Sequence, residues 1–187
     1  MIIKDDNIKK RKKCNYINLY NVKGKVKKFD EQLHKKYDIE AREVIKCLLG
    51  DSVEENPDIY GEDMIFTNEK IKYKYLEIQV MAKWDGDIFP YRYPFVYARK
   101  MRFSKKTLFV TFNKSLTEII LFAHKGILKK PDRLKKYDRE LINYVPWCKT
   151  MKMKTFLLSD KVIRTFSGEY IDSSSEEDEE EETDEDE

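Results

Sequence analysis

The stretch IKYKYLEIQVMAK, residues 71–83, constrains the fold most, because apolar and polar side chains alternate along it almost without a break. Alternation with a period of two is the signature of a strand, whose successive side chains leave on opposite faces. Leu76, Ile78, Val80 and Ala82 share one face, which suits packing against a helix. Tyr73, Tyr75, Glu77, Gln79, Met81 and Lys83 share the other. That second face mixes aromatic, acidic, amide and basic groups, as the wall of a groove would. MIF, residues 64–66, reads as the preceding strand, with Thr67-Asn68-Glu69 as the short turn between them.

Upstream, Leu33, Tyr37, Ala41, Val44 and Leu48 recur at helical spacing, and Gly50 marks the end of that helix. Cys47 on this stripe reads as a small core residue. Residues 51–62, with Pro57, read as a polar connection. Downstream, FVYARKMRF, TLFVTF and TEIILFAH are β-prone and separated by SKK and NKS, which predicts a meander extending the sheet. Pro131 and LKKYDRELIN predict a helix over 131–143, and the chain after Pro146 and Trp147 reads as a strand or loop returning to the sheet. The expected class is α/β (α+β), with a mixed, twisted sheet flanked by helices.

A chain of 187 residues suffices for one domain with a real core. Its formal net charge of +2 conceals a division. Residues 169–187 hold thirteen acidic residues and no Lys or Arg, leaving 37 basic against 22 acidic residues over 1–168, a net +15. So basic a body points to a polyanionic partner, nucleic acid above all. With 29 Lys, 8 Arg and 4 Ala, the composition is also that of an AT-rich genome, as in a large DNA virus. The expected organisation is a basic arm over 1–29, carrying KKRKK and KGKVKK, a folded domain over 30–168, and a disordered acidic tail over 169–187. The tail solubilises, engages basic proteins, or competes for the body's own basic surface. Ser173, Ser174 and Ser175, each followed by an acid three residues later, fit an acid-directed kinase.

Cys14, Cys47 and Cys148 are odd in number and far apart, which argues against a disulfide framework. His34 and His124 lack partners at zinc-ligand spacing. The amino terminus lacks a signal-peptide core, and the longest apolar run, IILFA, is too short to span a bilayer. The expectation is an intracellular protein, cytoplasmic or nuclear, without a membrane partner.

Asp63 at the mouth of one strand and Glu77 within the next form a hard-oxygen pair suited to Mg²⁺ or Mn²⁺. Same-face strand residues lie ~6.6 Å apart, so Gln79 projects beside Glu77. Here the chain resembles the PD-(D/E)XK nuclease superfamily of restriction-endonuclease-like and resolvase-like enzymes. In that family a helix bearing Glu precedes a strand that starts with Asp and a second strand bearing acid-x-Lys. These features fall on Glu40, on Asp63 within GEDMIF, and on Glu77-Ile78-Gln79, with Gln in place of the motif Lys. The resemblance spans residues 30–84. It implies a restriction-endonuclease-like core in which Asp63 and Glu77 ligate the metal with the carbonyl of residue 78, Glu40 adds a carboxylate through water, and Gln79 holds a water. An amide cannot carry positive charge, and Lys83 is the nearest ammonium by this reading.

The expected activity is Mg²⁺-dependent hydrolysis of DNA phosphodiesters. Lys83, Arg99, Lys100, Arg102, Lys105 and Lys106, interleaved with Tyr91, Tyr93, Tyr97 and Phe103, are the expected nucleic-acid contacts. A homodimer is compatible with this reading. The alternatives are a catalytically inactive nucleic-acid-binding or packaging protein of the same fold, and an acidic-tailed protein adaptor.

Overall fold

The computed structural model describes residue 32 and residues 34–134 and 137–168. The basic arm and the acidic tail lie outside the described residues, as do Leu33, Lys135 and Lys136. A π-helical turn, His34–Ile39, runs into helix α1, Glu40–Leu49. Gly50 closes the helix at φ +50°, where any side chain would be strained, and its N–H donates to the Lys46 carbonyl.

Six strands build the main sheet: β1 (Val53–Glu55), β2 (Met64–Phe66), β3 (Tyr75–Met81), β5 (Thr107–Asn113), β6 (Glu118–Ala123) and β9 (Thr150–Lys154), in the order β1-β2-β3-β5-β6-β9. Every neighbouring pair is antiparallel except β3 and β5, which run parallel from Tyr75↔Thr107 to Met81↔Asn113. A parallel neighbour requires a crossover. Residues 82–106 provide it without a helix: β4 (Phe95–Tyr97) is followed by a 3-10 segment, Ala98–Arg102. β4 leaves the main sheet and pairs with β8 (Tyr137–Tyr144), which pairs with β7 (Asp132–Leu134) in a separate three-stranded sheet. The fold is thus α+β, with a mixed six-stranded sheet, a second small sheet and few helices.

Two cores follow from this layering. On one face, Leu76, Ile78, Leu108, Val110, Phe112, Ile119 and Leu121 pack with Ala41, Ile45 and Leu49 of α1 and with Ile163 of a C-terminal helix, α2 (Asp160–Thr165). On the other, Met81, Phe109, Ile120 and Phe122 pack with Phe95, Val96 and Ile142 of the small sheet and with Trp84. The Phe109 and Phe122 rings stack at 5.3 Å. Strands covered on both faces need apolar residues everywhere, which is why TLFVTF and EIILFA show no alternation.

Several expectations are corrected. The helix over 131–143 is instead the β7–β8 hairpin: its apolar residues are too few to separate the two periods, and pairing with β4 decides. The connection 51–62 contains edge strand β1. FVYARKMRF is a strand only to Tyr97 and joins the small sheet instead of the meander. Cys47 is exposed, because the buried stripe of α1 is Ala41, Ile45 and Leu49, one position round from the expected one. Ladder pairing ends at Tyr75 and Met81, so the alternation does not extend beyond them: Ala82 is exposed, and Tyr73 is buried in the first core, its hydroxyl donating to the Phe166 carbonyl at 3.0 Å. Among the described residues no helix is long and apolar enough to cross a membrane.

Candidate active site

The site forms where β2 and β3 separate. Met64 pairs with Leu76 and Ile65 with Tyr75, so the next step of the same register sets Asp63 opposite Glu77. There the ladder changes partners: the Ile78 N–H donates to the side chain of Asp63, Oδ2, at 2.7 Å. That bond fixes the Asp63 carboxylate close to the plane of the sheet, where a backbone carbonyl would otherwise stand. The turn before it is pinned by Asn56, whose Nδ2 donates to the Glu62 carbonyl at 2.8 Å and whose N–H donates to the Asp63 carbonyl at 3.2 Å. Glu62 accepts from the Ser104 N–H at 2.7 Å and the Thr107 hydroxyl at 2.9 Å, tying this turn to the start of β5.

From α1, Arg42 donates to Asp63 Oδ1 and, at 2.7 Å, to Glu55 Oε2. Burial works against the guanidinium charge, yet Asp63 and Glu55 hold its pKa above the ordinary value.

Glu77 points to the opposite face, under the small sheet, and is 4% exposed. Its Oε1 lies 2.5 Å from the Lys100 ammonium, and its Oε2 has no hydrogen-bond partner. Burial pushes the carboxyl up to about 7; the Lys100 ammonium opposes the rise, the charge of Asp63 adds to it, and the Asp63 backbone N–H works against it. Gln79 donates through Nε2 to the Phe95 carbonyl at 3.4 Å, while its Oε1 is buried without a partner. Thr111, the β5 neighbour of Gln79, has a buried hydroxyl in the same condition. Three unpartnered oxygens therefore occupy adjacent positions on one face. Native proteins normally satisfy such atoms with protein, water or an ion.

No family model, curated protein or solved structure matches this chain. The site is accordingly read from its own geometry. Asp63 and Glu77 each pair with a different cation, Asp63, half-buried, with Arg42 of α1 and Glu77, buried, with Lys100 of the crossover; Gln79 follows Glu77 on the same face of β3. Glu40 is exposed at the first turn of α1 and has no hydrogen bond or ion pair among the described residues; Arg42, two residues on, is the side chain that reaches Asp63. Lys83 lies beyond the end of β3 in an exposed turn and so does not share the face of Glu77.

Of the expected phosphate contacts, Lys100 is drawn into the site, only 16% exposed. Arg99 pairs with Glu140 at 3.2 Å and lies over the Tyr97 ring, and Arg102 donates to the Tyr60 carbonyl. Lys105 and Lys106 are exposed. Sequence reasoning missed Arg42, Glu62 and Thr111, and gave Lys100 a surface role. Glu62 alone carried a signal, as the doublet partner of Asp63 in GED.

Among the described residues, no group of three or more His, Cys, Asp or Glu gathers at one point. An ion here would draw on two carboxylates and on neutral oxygens, a set that suits Mg²⁺, which keeps several waters of its own. An ionised carboxylate offers about four acceptor sites. Asp63 uses two of them, and Glu77 keeps a whole oxygen in reserve.

Proposed function

We propose that this chain is a metal-assisted nuclease with a restriction-endonuclease-like core, acting on DNA through contacts to the phosphate backbone. One observation carries the reading: a deeply buried glutamate with an unpartnered oxygen, set across from Asp63 where two strands part. Asp63 and Glu77 would hold Mg²⁺ or Mn²⁺. When bound, such an ion polarises a phosphodiester and acidifies a water beside it. Gln79 accepts a hydrogen bond from a water through its free Oε1. Lys100 brings the positive charge that Gln79 lacks, entering from the crossover and not from β3. Supporting the reading is the order along the chain of helix, strand headed by Asp63, turn and strand bearing Glu77.

Affinity for the polyanion is divided. Residues 1–29 hold ten Lys or Arg against two acids, and residues 30–168 hold 27 against 20. Half of the body's excess charge thus comes from the arm, which anchors phosphates, while exposed Arg102, Lys105 and Lys106 guide the strand.

A second reading, binding or packaging without cleavage, draws on the Arg42–Asp63 ion pair and on Gln79. Incubation with supercoiled plasmid and Mg²⁺ or Mn²⁺ separates the two. Cleavage by the native chain, lost in both Asp63→Ala and Glu77→Ala while DNA binding persists, supports the nuclease. Binding without cleavage in all three proteins favours the second reading.

A further inference from the structure

The turn before β2 carries two large apolar side chains into solvent. The Gly61 N–H donates to the Asp58 carbonyl at 2.8 Å, closing a β-turn with Ile59 and Tyr60 at its two central positions. Asp58 and Gly61 are ordinary at the ends of such a turn, but its centre is usually held by Gly, Pro, Asn, Asp or Ser. Here Ile59 is 84% exposed and Tyr60 72% exposed.

The turn is braced, so the pair is held out and not left to fold down. Asn56 Oδ1 accepts from the Asp58 N–H at 3.0 Å, and Asp58 Oδ1 accepts from the Tyr60 N–H at 3.1 Å. Gly61 is packed so closely that a Cβ would stand 2.8 Å from Asn56 Nδ2 and 3.1 Å from the Asp58 carbonyl oxygen. Arg102 donates through Nη2 to the Tyr60 carbonyl at 2.9 Å. The bonds at Tyr60 thus engage its N–H and its carbonyl, and the ring stays open to solvent.

This turn borders the candidate site. Tyr60 precedes Asp63 by three residues, a span of at most ~11 Å. Arg102 shares its 3-10 segment with Lys100, the partner of Glu77. Glu62 accepts from the Ser104 N–H at 2.7 Å, and the exposed Lys105 and Lys106 follow directly. Cations alone would suit any phosphate chain. A fixed ring and a branched aliphatic side chain among them add a surface for base faces, which an intact duplex keeps stacked on one another.

We propose that the Ile59–Tyr60 turn is a stacking platform for unpaired bases, so that the site takes DNA with single-stranded character: a free strand, a flap or a frayed end. Tyr60 supplies the ring for the stack, and Ile59 is the wedge beside it. Charge complementarity favours this occupant over a protein, because bases carried on a phosphate chain match an apolar tip with a cationic border. Two side chains also fall well short of the roughly 800 Å² that each partner gives to a stable protein interface. The inference rests on the nucleic-acid part of the function proposed above and names the form of DNA accepted.

Fluorescence anisotropy in EDTA, with a labelled single strand of about 20 nucleotides and the blunt duplex of the same sequence, tests the platform. EDTA separates binding from cleavage. The native chain should bind the single strand, and Tyr60→Ala should weaken that binding about tenfold, the weight of one lost stack, while duplex affinity changes by less than about twofold. Tyr60→Phe keeps the ring and should bind as the native chain does, which ties the loss to the ring and not to the fold. Lys105→Gln/Lys106→Gln removes charge and should weaken both forms alike. Equal losses on single strand and duplex in Tyr60→Ala, or no loss on the single strand, overturn the platform and leave the nuclease reading standing. A native chain that binds neither form removes that reading as well.

Discussion

Replacing Glu77 with Gln should abolish the loss of stability that this carboxyl causes as pH rises across the neutral range. The carboxyl titrates near 4.5 in an unfolded chain and is pushed up to about 7 in the fold. The native state therefore binds more protons than the unfolded state between these values, and stability falls as pH rises. At about 1.36 kcal/mol per unit of separation, the loss totals about 3 kcal/mol, with about 2.5 kcal/mol of it between pH 5 and pH 8. Glutamine keeps the shape and cannot ionise. Glu77→Gln should match the native protein near pH 5 and exceed its stability by about 2–3 kcal/mol at pH 8. Urea denaturation at pH 5, 6, 7 and 8, followed by tryptophan fluorescence, measures the difference directly, since Trp84 is buried in the adjoining core. Groups that titrate elsewhere cancel in the comparison. Parallel pH profiles for the two proteins would refute the argument, for they would mean that Lys100 keeps Glu77 ionised throughout.

Asp63→Ala leaves the Ile78 N–H unpaired and deprives Arg42 of a partner, so it should cost about 2–3 kcal/mol in the same denaturation assay. Thr111→Val removes a buried hydroxyl that has no partner, and should leave stability unchanged or raise it by about 1 kcal/mol. A loss beyond 1 kcal/mol at Thr111 would show that its oxygen is satisfied by something bound in the site.

How far the sequence discloses this architecture depends on where each residue type is decided. The β2–β3 hairpin and the stop at Gly50 are local matters of alternation and turn chemistry, and both are legible. The length of the turn between those strands is not: residues 67–74 separate β2 from β3, where the alternation predicts Thr67-Asn68-Glu69 alone. The β7–β8 hairpin was not legible: Ile142 is buried only because Val96 and its neighbours cover it, and that cover comes from a strand forty-odd residues away. The same non-local cover turns the mixed face of β3 into an interior. Periodicity divides a strand into two faces, but says nothing of which face a later element will close over.

Lys100 carries the same lesson into the chemistry. A motif fixes residues that share one strand or one turn, and Gln79 in that frame reads as a lost charge. The crossover required by the parallel β3–β5 pair carries a short 3-10 segment over the same face and sets an ammonium 2.5 Å from Glu77. The charge is present, but delivered from a different element. Burial then makes its effect conditional: at neutral pH Glu77 is poised between its protonated form and its ion pair with Lys100, so proton release can accompany the binding of a cation. If Asp63 and Glu77 bind Mg²⁺, its affinity should rise steeply between pH 6 and pH 8, about tenfold per unit below the midpoint and levelling off above it. Calorimetric titration at several pH values, in buffers of different ionisation enthalpy, reads both the affinity and the released proton. Affinity independent of pH over this range would separate the cation from Glu77.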